Sequence, residues 1–515
     1  MTAPQRAEAD PRSAARERIA LRALASPSVL LAATILLAAI LYGRLLARSL
    51  WVDESTTFWL ARGGPLAALK RTWPLPGHSV LFSVLSSLFC FGGNPFRNQI
   101  LRIPTVIGIV AACYFLYRLA EEEIGRGAGW IAATLFLFSP MALLFGYQAR
   151  PYALAMAASA ASCWTLVRWA ATRERRWLVW YALSSALLLH LHFLFSPVFL
   201  AHAVFLLFEG VVRRRTARWR ELVLAYAAIA ALVAPIVPRF LQTLRESHTL
   251  VFNEKPAIQE LPDLLLPSSV SVGLLLAGLL VHGLFRERSA AARPLPLPLA
   301  AMFVTLWAAG PLIVFAVSSA TPVRVFVSRY LSYSGLGLAL LLAYVGYRMF
   351  GGRAGRLWAL LGMAAIAANP LRVVMFGAGN EELKPFLDII RRESARAGAP
   401  PPVLFQSELP ESNFADWRAQ NPKDSYLYTP FAAYPIPNPL LPLPNRLTEE
   451  VKEHVSSLLE SGLKDRPEVL LVTHTPSNVA WFAGRFAAAG FRVRVQPANA
   501  FYVLVFERSA AAPKD

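Results

Sequence analysis

Trp51-Val52-Asp53-Glu54-Ser55 sets two adjacent carboxylates a few residues beyond the first long apolar run, 30–46. Carboxylates at the mouth of a membrane helix are costly unless they face water, a cation or a substrate. The pair reads as a hydrated helix end, paired with Arg48 or Arg62, or as a general base. In the second case one carboxylate takes a proton from an acceptor hydroxyl or amine and the other orients groups or tunes its pKa. Burial and a like-charged neighbour would then raise the carboxylate pKa. Asp53 and Glu54 are therefore the candidate catalytic residues. Lys70, Arg71 and His78 follow in the same segment. Lys and Arg clamp phosphate oxygens well, and lipid head groups are the alternative partner. In Tyr147-Gln148-Ala149-Arg150-Pro151-Tyr152 the proline suits a first helical turn. Arg150 then either snorkels or projects towards the cavity that Asp53 faces. His190 and His192 are spaced i, i+2 and do not share a helical face, which argues against a two-histidine metal site. His192 is a hydrogen-bond donor to substrate or a packed interfacial ring. Arg324 and Arg329-Tyr330 open a late apolar span and are further candidates for phosphate contact. No metal site is expected.

Most of the surrounding chain is apolar. Of 515 residues, 56% are hydrophobic and 16% charged, against roughly 25% charged in an average soluble domain. The apolar residues fall in long runs, the pattern of a polytopic helical membrane protein. The formal net charge is +19, but the cations lie mostly between apolar runs. There they set topology and meet anionic lipid, so nucleic acid is not an expected partner. Cys90, Cys113 and Cys163 lie in apolar stretches with neither metal nor disulfide spacing. Residues 125–129 form a glycine-rich turn that follows no strand, so it is not read as a nucleotide site.

The expected spans are 27–47, 100–118, 128–146, 151–170, 177–193, 194–210, 221–238, 264–284, 297–319, 329–347 and 356–376, about eleven at roughly 20 residues each. A shorter apolar piece, 79–91, decides the parity. If it does not cross and the N-terminus is cytoplasmic, the basic loops 118–126, 168–176, 213–220, 286–293 and 348–356 all lie inside, as the positive-inside rule requires. Residues 48–98 then lie outside, with 79–91 as a juxtamembrane helix. Asp53, Lys70, Arg71, His78, Arg150, His192 and Arg329 share that outer face. Residues 1–26 form a cytoplasmic tail and 27–376 the membrane domain. Residues 377–515 form an extracytoplasmic α/β domain with helices at 380–397, 448–463 and 477–489. Its strands are expected at 402–405, 468–473, 491–495 and 501–506, with a proline-rich loop at 426–444.

Asp53-Glu54 after the first span resembles the acidic motif of the GT-C glycosyltransferases. That group includes protein O-mannosyltransferases, the lipid A aminoarabinose transferase and rhizobial galacturonosyltransferases. Gly77-His78-Ser79-Val80-Leu81 is similar to a His-Pro-Pro-Leu motif of the last group, and Leu101-Arg102-Ile103-Pro104 to its Leu-Arg-Leu-Pro. Gln148-Ala149-Arg150-Pro151-Tyr152-Ala153-Leu154 resembles Gln-Glu-Ala-Arg-x-Tyr-Ala-Leu, His192-Phe193 a Thr-His-Tyr, and Arg329-Tyr330-Leu331 an Arg-Tyr-Leu. The likeness covers about residues 27–350. Two departures are Ser79-Val80 for Pro-Pro and Gln148 for an acidic residue. The resemblance implies a polyprenyl-phosphate sugar donor and inverting transfer to a glycan, lipid or protein on the outer face of a bacterial cytoplasmic membrane. It makes Asp53 the base, with Glu54 beside it. It implies donor or phosphate contacts for His78, Arg150, Tyr152, His192, Arg329 and Tyr330, with Lys70 or Arg71 joining them. No cofactor is expected, with a divalent cation left open. Two other readings are a transporter or flippase of lipid-linked saccharides and a catalytically degenerate scaffold. The transporter would want ionisable groups at mid-membrane depth, and here they sit at helix ends.

Overall fold

Apolar runs punctuated by proline, glycine and arginine become helices, and short amphipathic pieces between them gather at one end of the bundle. The structure is a computed structural model that describes residues 27–75, 77–90, 97–125, 127–213, 219–245, 255–266, 295–321, 324–347, 383–409, 412 and 426–508. The first helix is α1 (Pro27–Ala47). Four short helices follow: α2 (Val52–Ala61), α3 (Pro65–Thr72), α4 (Val80–Ser87) and α5 (Arg97–Leu101). The eight residues of α4 extend about 12 Å, far short of a bilayer core of about 30 Å. Ser79 caps α4 by accepting from the Phe82 N–H and donates to the His190 carbonyl.

The bundle continues through α6 (Ile103–Glu123), α7 (Ala128–Leu137), α8 (Pro140–Phe145), α9 (Tyr152–Thr172), α10 (Arg175–Leu191) and α11 (Val198–Arg213). Ser139, ahead of Pro140, caps α8 and splits the expected span 128–146 in two. Next, α12 (Trp219–Val233) passes through a 3-10 turn into α13 (Val237–Arg245), and α14 (Glu260–Leu265) follows. A π-helical stretch, Thr305–Ala309, joins α15 (Leu297–Val304) to α16 (Gly310–Ala320). The last described bundle helix is α17 (Ser334–Tyr347). Among the described residues, Ile103–Glu123, Phe193–Val211, Trp219–Arg245 and Leu297–Ala320 are long and apolar enough to cross a membrane. Apolar side chains such as Ile107, Val110, Val223, Leu224, Leu312 and Ile313 are exposed along them, a surface suited to lipid. The expected span 264–284 is described only to 266, and 356–376 lies outside the described residues.

α6 and α9 pack closely because Gly108 has no side chain. A Cβ there would sit 2.6 Å from the backbone of Ala153 and Leu154. Small residues allow such approach where no hydrophobic force drives membrane helices together. The inner core then fills with Phe136, Met156, Trp169, Tyr181, Phe195 and Phe303.

The C-terminal region carries a five-stranded sheet in the order β2-β1-β3-β5-β4, formed by β1 (Val403–Gln406), β2 (Leu440–Leu443), β3 (Glu468–Thr473), β4 (Phe491–Ala498) and β5 (Phe501–Arg508). β1 is parallel to β2 and β3, and β5 is antiparallel to β3 and β4. Helices α18 (Lys384–Arg396), α19 (Thr429–Ala433), α20 (Glu449–Glu460) and α21 (Pro476–Ala488) complete it. Gly490, at φ +86°, stops α21 as its position after the apolar pattern predicts. The expected loop 426–444 instead contains α19 and β2. Proline obscured β2, whose edge position tolerates Pro442. Alternation along the strands sends Leu404, Leu471, Leu504 and Phe506 to α20 and α21. The opposite face, with Val403, Phe405, Val472 and Val503, packs on α18 and also on Val52, Trp59 and Leu60 of α2. The helix bearing Asp53 thus shares a core with the C-terminal sheet. The expected boundary at 377 lies outside the described residues.

Candidate active site

Asp53 and Glu54 are neighbours in the first turn of α2, and their side chains leave it in different directions. Glu54 is 1% exposed and meets the fully buried Arg102 in a two-pronged ion pair. Arg102 Nε donates to one carboxylate oxygen at 2.7 Å and Nη2 to the other at 2.6 Å. The Ala149 N–H donates to Glu54 at 2.7 Å, and the Trp51 N–H at 3.3 Å. Arg102 Nη1 also donates to the carbonyls of Leu45, Leu46 and Arg48 at the end of α1, and Nη2 to that of Ser49. One buried pair therefore fastens the end of α1, the start of α2 and the turn before Arg150. Cations favour helix C-termini, and bidentate arginine–carboxylate pairs fix orientation.

Asp53 faces the other way. Its carboxylate lies 3.7 Å from Arg150 and 3.9 Å from Arg329, with its side chain 17% exposed. Burial pushes the Asp53 carboxyl up, but Arg150, Arg329 and His78 together pull it below its ordinary value. This corrects the expected upward shift: Glu54 is turned onto Arg102, and guanidinium groups stand where a like charge was anticipated. Burial works against the Arg150 charge, yet Asp53 holds its pKa above the usual arginine value. Burial, with Arg150 and Arg239 against Asp53, pushes His78 down to about 3, so its ring is neutral near pH 7.

Three elements complete the wall. His192 ends α10, Tyr152 begins α9, and Tyr330 lies in a 3-10 turn at Ser328–Leu331. Their ring centroids are 5.4 Å apart for Tyr152–His192, 5.2 Å for His192–Tyr330 and 6.4 Å for Tyr152–Tyr330. The Arg329 guanidinium lies over Trp51 and Tyr330. The Nε atoms of Arg150 and Arg329 and Nδ1 of His192 are buried without hydrogen-bond partners. Buried polar atoms are nearly always paired, so the two unpartnered Nε donors beside Asp53 are positions for a polar ligand to fill.

Seven of the predicted residues therefore converge: Asp53, His78, Arg150, Tyr152, His192, Arg329 and Tyr330. Others go elsewhere. Lys70 is exposed on α3. Arg71 donates to the carbonyls of Trp59 and Arg62 and stacks on Trp59. Arg324 folds back onto the carbonyls of Ser318 and Thr321 at the end of α16. His190 bonds the Leu232 carbonyl, consistent with the opposed faces of the two histidines. Among the described residues no three His, Cys, Asp or Glu side chains gather as a metal site.

Sequence reasoning missed Arg102, Arg239, Trp51 and Tyr426. Arg239 reaches from α13 to the carbonyls of Thr72, Leu75 and His78 and so holds the His78 loop. Arg102 and Arg239 stand beside or within apolar runs. An arginine there needs a partner, which was the available signal.

Residues 76–238 match the family model described as dolichyl-phosphate-mannose-protein mannosyltransferase. The crystal structure of ArnT from Cupriavidus metallidurans in the apo state is similar, with a TM-score of 0.52 and 13% sequence identity, over 92% of this chain and 97% of that one. The chain shares the overall fold of that structure. The same neighbour bound to undecaprenyl phosphate gives a TM-score of 0.51 and 13% identity, over 95% of this chain and 100% of that one. No curated protein matches the chain. The segment matched by the family model holds His78, Arg150, Tyr152 and His192. Asp53 and Arg329 lie outside it and join the site through the fold.

Proposed function

We propose that the chain is a glycosyltransferase that moves a sugar from a polyprenyl-phosphate donor to an acceptor on the outer face of the cytoplasmic membrane, with inversion. The observation that carries this reading is the setting of Asp53 between two guanidinium groups whose Nε donors lack partners. Two arginines and one carboxylate leave a positive excess, which a phosphate of the donor would balance. The description of the matched family and the undecaprenyl phosphate bound to the structural neighbour support a lipid-phosphate donor.

In this reading Arg150 and Arg329 hold the donor phosphate, and the Tyr152–His192–Tyr330 wall lines the sugar. Asp53 takes the proton of an acceptor hydroxyl or amine. The acceptor atom attacks the anomeric carbon, the bond from that carbon to the phosphate oxygen breaks, and polyprenyl phosphate leaves with the electron pair. The arginines stabilise charge on the departing phosphate, the usual source of catalysis when orientation and fixed charges do most of the work. Phosphate binding also offsets the guanidinium charges that depress Asp53, so the base gains strength once the donor is in place. Glu54, tied to Arg102, positions α2 and does not move protons. Purified protein given radiolabelled polyprenyl-phosphate hexoses and uronic acids tests the reading. Sugar transfer or slow donor hydrolysis supports it. Label that crosses a vesicle membrane without cleavage would establish transport in its place.

A further inference from the structure

Among the described residues, Tyr426 of the C-terminal region reaches the candidate site. Tyr426 opens the 3-10 turn Tyr426–Tyr428 that leads into α19, and it is 5% exposed. Its hydroxyl lies 3.1 Å from Nε2 of His78, and its ring meets Trp59 of α2 edge-on, 6.0 Å between centroids. The segment is anchored at both ends. Tyr428 donates to the Leu440 carbonyl of β2. The Tyr434 hydroxyl accepts from the Leu50 N–H at 2.8 Å and from Asn98 at 3.0 Å. Between them Phe431 and Ala433 pack into cores that also contain Trp59, Phe58 and Leu50.

The other face of the His78 ring meets the site. Its Nδ1 is 3.5 Å from Nη1 of Arg150, whose Nη2 is 3.7 Å from Asp53. A guanidinium offers only N–H donors, so the ring nitrogen that faces it must present its lone pair. In a neutral imidazole the proton then sits on Nε2, where the Tyr426 oxygen is placed to accept it. The opposite tautomer would set an N–H against a guanidinium. We propose that Tyr426 is a positioning residue: its hydroxyl fixes the rotation of the His78 ring so that Nδ1 faces Arg150, and that contact in turn keeps the proton on Nε2 and Arg150 aimed at Asp53. The effect on turnover rests on the glycosyltransferase reading above; the effect on His78 does not. Deletion of the Tyr426 hydroxyl frees the His78 ring to rotate; once Nδ1 no longer faces the guanidinium, the tautomer preference is lost, while the aromatic ring at position 426 keeps its packing.

The test uses full-length protein in detergent with 15N-labelled histidine, and the His78 signals are assigned by their loss in His78→Gln. Wild type is expected in the Nε2–H tautomer, and Tyr426→Phe in a mixture or in the Nδ1–H form. With labelled donor, Tyr426→Phe is expected to lower kcat about tenfold and to change the donor KM less than twofold. A wild-type His78 in the Nδ1–H tautomer overturns the proposal without any Tyr426 variant. So does an unchanged tautomer in Tyr426→Phe, or a changed tautomer with unchanged kcat. If wild type neither transfers nor hydrolyses, the glycosyltransferase reading fails and the tautomer comparison still decides the role of Tyr426.

Discussion

Asp53 and Glu54 are adjacent and chemically alike, yet their surroundings give them separate work. Glu54 and Arg102 are both buried and each satisfies the other. Removal of one partner strands a buried charge, so Arg102→Leu should cost about 3–5 kcal/mol of stability. Thermal unfolding in detergent would read this, and Arg102→Lys should recover little because an ammonium cannot form the two-pronged pair. Arg150→Lys and Arg329→Lys should each lower kcat/KM for the donor about tenfold to a hundredfold, the worth of a charged hydrogen bond of about 1.5–3 kcal/mol. The Asp53 carboxyl is depressed in the folded protein. Its contribution to stability is therefore present above the unfolded pKa and is lost as pH falls through the folded one. For activity, the acid limb of kcat/KM, which reports the free protein, should fall below the ordinary aspartate value of about 3.9. The acid limb of kcat should lie higher, because the bound phosphate offsets the arginines. Equal limbs in the two profiles would contradict that electrostatic account.

At the scale of elements, the site is made where helices end. It draws on the start of α2, the loop before α4, the turn into α9, the end of α10 and the turn before α17. These five points meet only if the bundle packs in one way, and Gly108 permits the close approach of α6 to α9. Gly108→Val should cost roughly 1–3 kcal/mol through overpacking and should lower activity in parallel with stability, measurable by the same unfolding assay. Much of this was legible in the sequence. Apolar runs gave the helices, and the motifs bearing Asp53, His78, Arg150, His192 and Arg329 stood out by residue type and by their place at the ends of those runs, where the structure brings them together. The fates of Glu54, Arg71 and Arg324 were not legible. Which carbonyl or carboxylate a long cation finds depends on packing between segments distant in sequence, and short motifs carry no such information.

For the whole molecule, the helical bundle and the C-terminal sheet meet around α2. Val52, Trp59 and Leu60 lie in the core that also holds Phe386, Phe405 and Phe501. The sequence showed a change of composition after 377 and no reason for the two parts to share a core. The reason is spatial: α2 is too short to have a core of its own and buries one face against the sheet. A chain ending at 347 should therefore insert into membranes yet unfold at lower temperature and lack transfer activity, as thermal unfolding and the labelled-donor assay would show. The claim that stands above the others is that Asp53 is the base of a sugar transfer. Asp53→Asn in the full-length protein tests it most directly, with transfer from labelled polyprenyl-phosphate sugar and binding of polyprenyl phosphate measured side by side. The account predicts retained binding and a loss of turnover of at least about a hundredfold, typical of removing a positioned base. Normal turnover by Asp53→Asn would contradict it.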